Sequence, residues 1–190
     1  MSNTFSDLLI HHLSLAKNHP GPDVGQLLFL DSKPLRRLLR SVSSARTSIT
    51  DSTWLILGLA YLQPQRFMQS LPQQSESARQ HFRLSRIFAN DQDRLLWCTI
   101  QATRTMAALE IAATLCDYQV EWVLEGIDRK KIASLLAIPD DHQILGFLAI
   151  HQPPNSSSGT LPFPSLAGLH YNGFGGNWPI DQHDSGPQHG

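Results

Sequence analysis

Residues 91–116 read DQDRLLWCTIQATRTMAALEIAATLC. Leu95, Leu96, Ile100, Thr103, Ala107, Leu109, Ile111 and Leu115 recur among alanines without a glycine or proline, and together they cover most of a helical circumference. A helix that is apolar on nearly every side has to be buried. Ala102, Ala107, Ala108, Ala112 and Ala113 would let another helix approach closely. The stretch from Arg94 to Cys116 therefore predicts a long core helix that shares a seam with a partner chain.

On the C-terminal side, Tyr118 to Leu124 alternates Val120, Trp122 and Leu124 among β-formers, a strand signature. Gly126 turns the chain, Asp128 can cap a helix from Arg129 to Leu136, and Pro139-Asp140-Asp141 ends it. Ile144 to Ile150 is apolar on both faces, which predicts a central strand. Pro, Asn, Ser and Gly then dominate up to Leu166. The aromatic and glycine-rich stretch Leu169 to Trp178 predicts a docked segment, and Pro179 to Gly190 a disordered tail.

On the N-terminal side, Thr50-Asp51 predicts the start of a helix running through Trp54, Leu55, Leu57 and Leu59 and closed by Pro64. Gln63 to Gln80, rich in Gln, Ser and Pro, reads as a surface loop. Ser32 and Pro34 open a helix to about Val42, with Leu35, Leu38 and Leu39 as its apolar stripe and Arg36, Arg37 and Arg40 on the solvated side. Leu28 to Leu30 is a brief apolar run, and Asp7 to Lys17 a short amphipathic helix. Helices and strands alternate, so the class is α+β, with a mixed sheet flanked by helices.

A chain of 190 residues suits one domain. With a formal net charge of -1 there is no global field to gather nucleic acid or anionic lipid, so neither partner is expected. Cys98 and Cys116 would lie roughly 27 Å apart on one helix at 1.5 Å per residue, too far to bridge. No CxxC pair or Cys/His ligand spacing is present and the N-terminus has no basic signal region, which together predict a cytoplasmic protein without a bound metal. No apolar span reaches the ~18 residues that a membrane crossing needs. GxSxG, P-loop and GxGxxG patterns are likewise missing, which sets aside serine hydrolase and nucleotide-kinase chemistry.

Taken together, Leu38 to Ser43, the central helix, Gln119 to Asp128, the short helix ending at Ile138-Pro139, and Gly146 to Pro153 resemble the nitroreductase family of FMN-dependent oxidoreductases. The resemblance runs from about Pro34 to Trp178 and implies a single nitroreductase-like domain over 1–178, with 1–33 as an N-terminal extension and 179–190 as the tail. It implies a homodimer built on the central helix, with the ending His170 to Trp178 extending across the partner. It also implies bound FMN, NAD(P)H as electron donor and a small-molecule substrate. Carried over residue by residue, it places Arg40 and Ser41 at the phosphate and ribityl chain. Ser43 stands where the family has a second arginine, which Arg46 could replace if the loop is longer. Glu125 and Gly126 would lie along the flavin ring. His151, Gln152 and Asn155 are the remaining polar groups toward the phosphate end. Two departures point to a cofactor-free relative that keeps the fold as a binding or partner subunit: the missing second arginine, and the absence of Lys or Arg after Pro153.

Overall fold

The structure is a computed structural model that describes residues 24–63, 91–152 and 169–175. Five strands form one sheet in the order β3-β4-β2-β1-β5: β1 Gly25–Leu30, β2 Trp54–Tyr61, β3 Gln119–Val123, β4 His142–His151 and β5 Leu169–Tyr171. The first four pair antiparallel, and β5 lies parallel to β1. Four helices are present among the described residues: α1 Lys33–Arg40, α2 Arg46–Asp51, α3 Asp91–Thr114 and α4 Arg129–Leu135. The architecture is α+β, as the sequence predicts.

The long central helix is α3, and its packing depends on which side is considered. Cys98, Ala102, Thr105, Met106, Leu109, Ala112 and Ala113 are buried, and the last four pack with Leu27, Phe29, Ile56, Leu148 and Ile150 on one side of the sheet. Gly25 and Gly58 allow the close approach, since a Cβ at either would collide with Thr105 or Met106. The opposite stripe is uncovered in the single chain: Leu96 is 58% exposed, Ile100 50% and Ile111 49%. The other side of the sheet carries Leu28, Leu30, Leu55, Leu57, Leu59, Ile144, Phe147 and Ala149, sealed by Leu39 of α1, Ile49 of α2 and Ile132 of α4.

The structure corrects three expectations. The stretch from Trp54 to Leu59 is a strand, β2, rather than a helix; the helical turn that begins at Arg46 stops at Asp51. An eight-residue run buried on both faces carries no period that separates strand from helix, and its place between β1 and β4 decides the matter. Gly25–Leu30, assigned to an N-terminal extension, is an inner strand of the sheet. Arg36 is buried rather than solvated, for reasons given below. Leu169–Tyr171, at the start of the aromatic and glycine-rich ending, pairs with β1 of the same chain. The helix expected at Asp7 to Lys17, the loop beyond Gln63, Asn155, Trp178 and the tail lie outside the described residues.

Candidate functional site

Helix α1 begins at Ser32, whose Oγ accepts from the Leu35 N–H, with Pro34 in its first turn. It ends at Arg40, and Ser41 closes it by donating both its N–H (3.0 Å) and its hydroxyl (2.7 Å) to the Leu38 carbonyl. The chain then meets the turn that follows β3. Ser43 and Ile127 form an antiparallel bridge, the Ser44 N–H donates to the Gly126 carbonyl at 2.8 Å, and the Asp128 N–H donates to the Val42 carbonyl at 2.9 Å. Ser43 is buried at this seam and its Oγ accepts from the Ala45 N–H at 3.2 Å.

Gly126 is required here. Its φ of +65° is left-handed, and a Cβ would run into Ser44 Oγ. Arg129 fixes the same turn to β4 by donating to the Leu124 carbonyl at 2.9 Å and the Ile144 carbonyl at 3.2 Å. Asp128 caps α4 by accepting from the Lys131 N–H, and that bond holds its carboxyl below the usual range. The fold thus joins two distant parts of the chain at one seam, Val42 to Ser44, which follow Arg40 and Ser41, meeting Gly126 to Asp128, which follow Glu125. Arg40, Ser41, Glu125 and Gly126 are exposed, and the Arg40 guanidinium makes no hydrogen bond or ion pair among the described residues.

His151 and Gln152 are not part of that seam. They end β4 next to Thr53, whose Oγ1 accepts from the Gln152 N–H at 2.9 Å. The strand from Ile144 to His151 spans roughly 23 Å at 3.3 Å per residue, so these polar groups sit at its far end.

Arg36 was missed as anything but a surface charge. Its guanidinium donates to the carbonyls of Leu30 (2.7 Å), Ser52 and Thr53 (3.2 Å), tying the exit of β1 to the entry of β2. Nothing in the periodicity of α1 signals this, because the acceptors are backbone groups of other segments. Asn172 was also missed. Its Oδ1 accepts from the N–H groups of Asp31 at 2.8 Å and Ser32 at 2.9 Å, joining β5 to the start of α1. The Asn-Gly pair and a φ of +54° mark it as a turn residue, a signal readable from sequence.

The sequence matches no protein-family model. It also matches no curated protein. Solved structures do resemble it: a nitroreductase family protein from Clostridium novyi NT aligns at a TM-score of 0.59 and 15% identity, over 90% of this chain and 84% of that one. A second, from Streptococcus pneumoniae TIGR4, aligns at 0.60 and 14%, over 83% and 84%. A third, from Exiguobacterium sibiricum 255-15, is described as a nitroreductase in complex with FMN and aligns at 0.61 and 14%, over 82% and 81%.

The chain has a nitroreductase fold. Within that nitroreductase fold, the seam offers a guanidinium beside a hydroxyl and an exposed glycine turn. In kind, a guanidinium is a donor suited to a phosphate, and a backbone without a Cβ allows a planar ring to lie close, whereas the Ser41 hydroxyl is already donated to the Leu38 carbonyl. Among the described residues no helix is long and apolar enough to cross a membrane.

Proposed function

We propose that the protein is an FMN-dependent oxidoreductase of the nitroreductase type, acting as a cytoplasmic homodimer on a small molecule with NAD(P)H as electron donor. The observation that carries this reading is the joining of the Arg40–Ser43 loop to the Glu125–Gly126 turn by the Ser43–Ile127 bridge and two backbone hydrogen bonds. Arg40 and Ser41 would hold the phosphate end, and the backbone of Glu125 and Gly126 would lie along the ring. FMN supplies hydride and electron transfer when bound, and the chain's part is to hold and orient it. Ser43 acts from beneath by keeping the loop in its turn. The uncovered stripe of α3 supports the homodimer, since a row of isoleucines and leucines left in water favours association.

A second reading, a cofactor-free relative serving as a binding subunit, is favoured by two features: Ser43 stands where the family has a second arginine, and no Lys or Arg follows Pro153. One preparation separates the two. Protein incubated with excess FMN, desalted and then denatured should release close to one FMN per chain and oxidise NAD(P)H before denaturation. A colourless protein that releases none favours the binding subunit.

A further inference from the structure

The large hydrophobic side chains left exposed among the described residues fall into two groups. One runs along α3 as far as Leu115; the other is Leu38, Leu124 and Leu135, exposed by 54%, 47% and 41%, on α1, the turn after β3 and α4. The two helices of the second group adjoin at both ends. The Asp128 N–H, at the start of α4, donates to the Val42 carbonyl just beyond α1 at 2.9 Å. At the opposite end Asn172 Oδ1 holds the N–H groups of Asp31 and Ser32 before α1, and two residues later the Phe174 N–H donates to the Leu136 carbonyl at the close of α4 at 3.0 Å. α1 and α4 therefore run antiparallel, with Leu35, Ala133 and Phe174 half-buried along them.

Charge is segregated onto the same pair. In a chain of 15 Lys and Arg and a net charge of -1, seven basic residues sit on Lys33–Arg40 and Arg129–Leu135, and neither helix holds an acid. Arg36 and Arg129 are bound to backbone carbonyls. Lys33, Arg37 and Lys130 are exposed and in no ion pair among the described residues, and Lys131 reaches the capping Asp128 at 3.3 Å. Lys33 opens α1, and Arg129, Lys130 and Lys131 open α4, where the helix dipole is positive and favours acids. Folding alone would place carboxylates at those positions. The acids instead flank the helices in sequence, as Asp31, Glu125, Asp128, Asp140 and Asp141, and the exposed faces carry cations and leucines.

We propose that the outer surface of α1 and α4 docks an acidic protein segment, whose carboxylates meet Lys33, Arg37, Lys130 and Lys131 and whose apolar side chains meet Leu38 and Leu135. Apolar contacts set among charges that steer the encounter are the make-up of a protein interface. A phosphate backbone would answer the cations and leave the leucines without a partner. An anionic bilayer would take both but repel Glu125 and Asp128, which a protein segment can pair with cations of its own. The surface needs no flavin, so the proposal stands apart from the function proposed above and suits an enzyme or a binding subunit alike.

The probe is a fluorescent helical peptide of about 18 residues, glutamate on one face and leucine on the other. With the full chain, fluorescence anisotropy should show saturable binding that weakens on the order of tenfold between about 50 mM and about 300 mM salt. Lys130→Glu/Lys131→Glu and Leu38→Ser/Leu135→Ser should each weaken it on the order of tenfold, and Arg104→Glu on α3 should not. The lysine variant separates docking from folding, because acids at the start of α4 suit its dipole: the melting temperature should hold or rise while binding falls. Absence of binding, equal binding by the lysine or leucine variants, or tighter binding of a single-stranded oligonucleotide or of phosphatidylserine vesicles would overturn the proposal. FMN affinity, measured in the same variants, should match the wild type, so that a failed docking surface and a failed flavin site are told apart.

Discussion

On one face of the sheet a single 24-residue helix, α3, does the covering; on the other, α1, α2 and α4, of eight, six and seven residues, share it. The long helix runs uninterrupted over 24 residues. It packs through small residues, Ala102, Ala112 and Ala113, against a surface opened by Gly25 and Gly58, and turns an apolar stripe outward. The short helices end repeatedly above the sheet, and every end leaves backbone groups that need partners. Those partners are what make the second face chemical: Arg36 takes three carbonyls, Asn172 takes two N–H groups, and the loop after α1 bonds with the turn after β3. On the proposed function, one face serves contact with a second copy and the other holds the site.

The sharpest way to break this contrast is at Arg36. Arg36→Met keeps the stem but leaves the Leu30, Ser52 and Thr53 carbonyls without their donor, and should cost about 3 to 5 kcal/mol in urea unfolding. A loss under ~1 kcal/mol would mean that the leucines of this face hold it without the polar tie. Gly126→Ala comes next. Its left-handed φ and the collision with Ser44 should cost about 1 to 3 kcal/mol, read as a lower urea midpoint at unchanged slope. On the contact face, Ile100→Glu with Ile111→Glu should convert a sedimenting dimer to single chains while far-ultraviolet dichroism stays the same, because both side chains are about half exposed and lie outside the buried core. Unchanged sedimentation would remove α3 as the contact surface.

Periodicity and length made α3, β3, α4 and β4 legible in the sequence, because each has one dominant pattern flanked by clear stops. β2 was misread because Trp54-Leu55-Ile56-Leu57 is buried on both sides, and a run without a polar face has no period to read. Arg36 was misread because amphipathic reasoning asks which side of a helix is apolar and cannot see carbonyls arriving from Leu30 and Ser52. The site was legible only in part. Gly126 announces a turn, but that the turn would meet Ser43 and Ser44 depends on pairing between segments more than eighty residues apart, which local pattern does not encode. Family resemblance supplied that pairing. It also left His151 and Gln152 as remaining polar groups toward the phosphate end, with His151 read first as an ordinary loop histidine, and the length of β4 separates them from the seam.

The central claim is that the exposed guanidinium at the end of α1 belongs to a cofactor site, and it can be measured against its own neighbour. Arg37 and Arg40 are both exposed on α1, and only Arg40 adjoins the seam. Each changed to alanine should shift stability by no more than about half a kcal/mol. FMN titration by flavin fluorescence should then give Arg37→Ala the affinity of the wild type, and Arg40→Ala an affinity weaker by roughly 1.5 to 3 kcal/mol, about ten- to a hundredfold, for the loss of a charge-assisted contact. Equal FMN affinity in the wild type and both variants would contradict the account and return Arg40 to the solvated face of its helix.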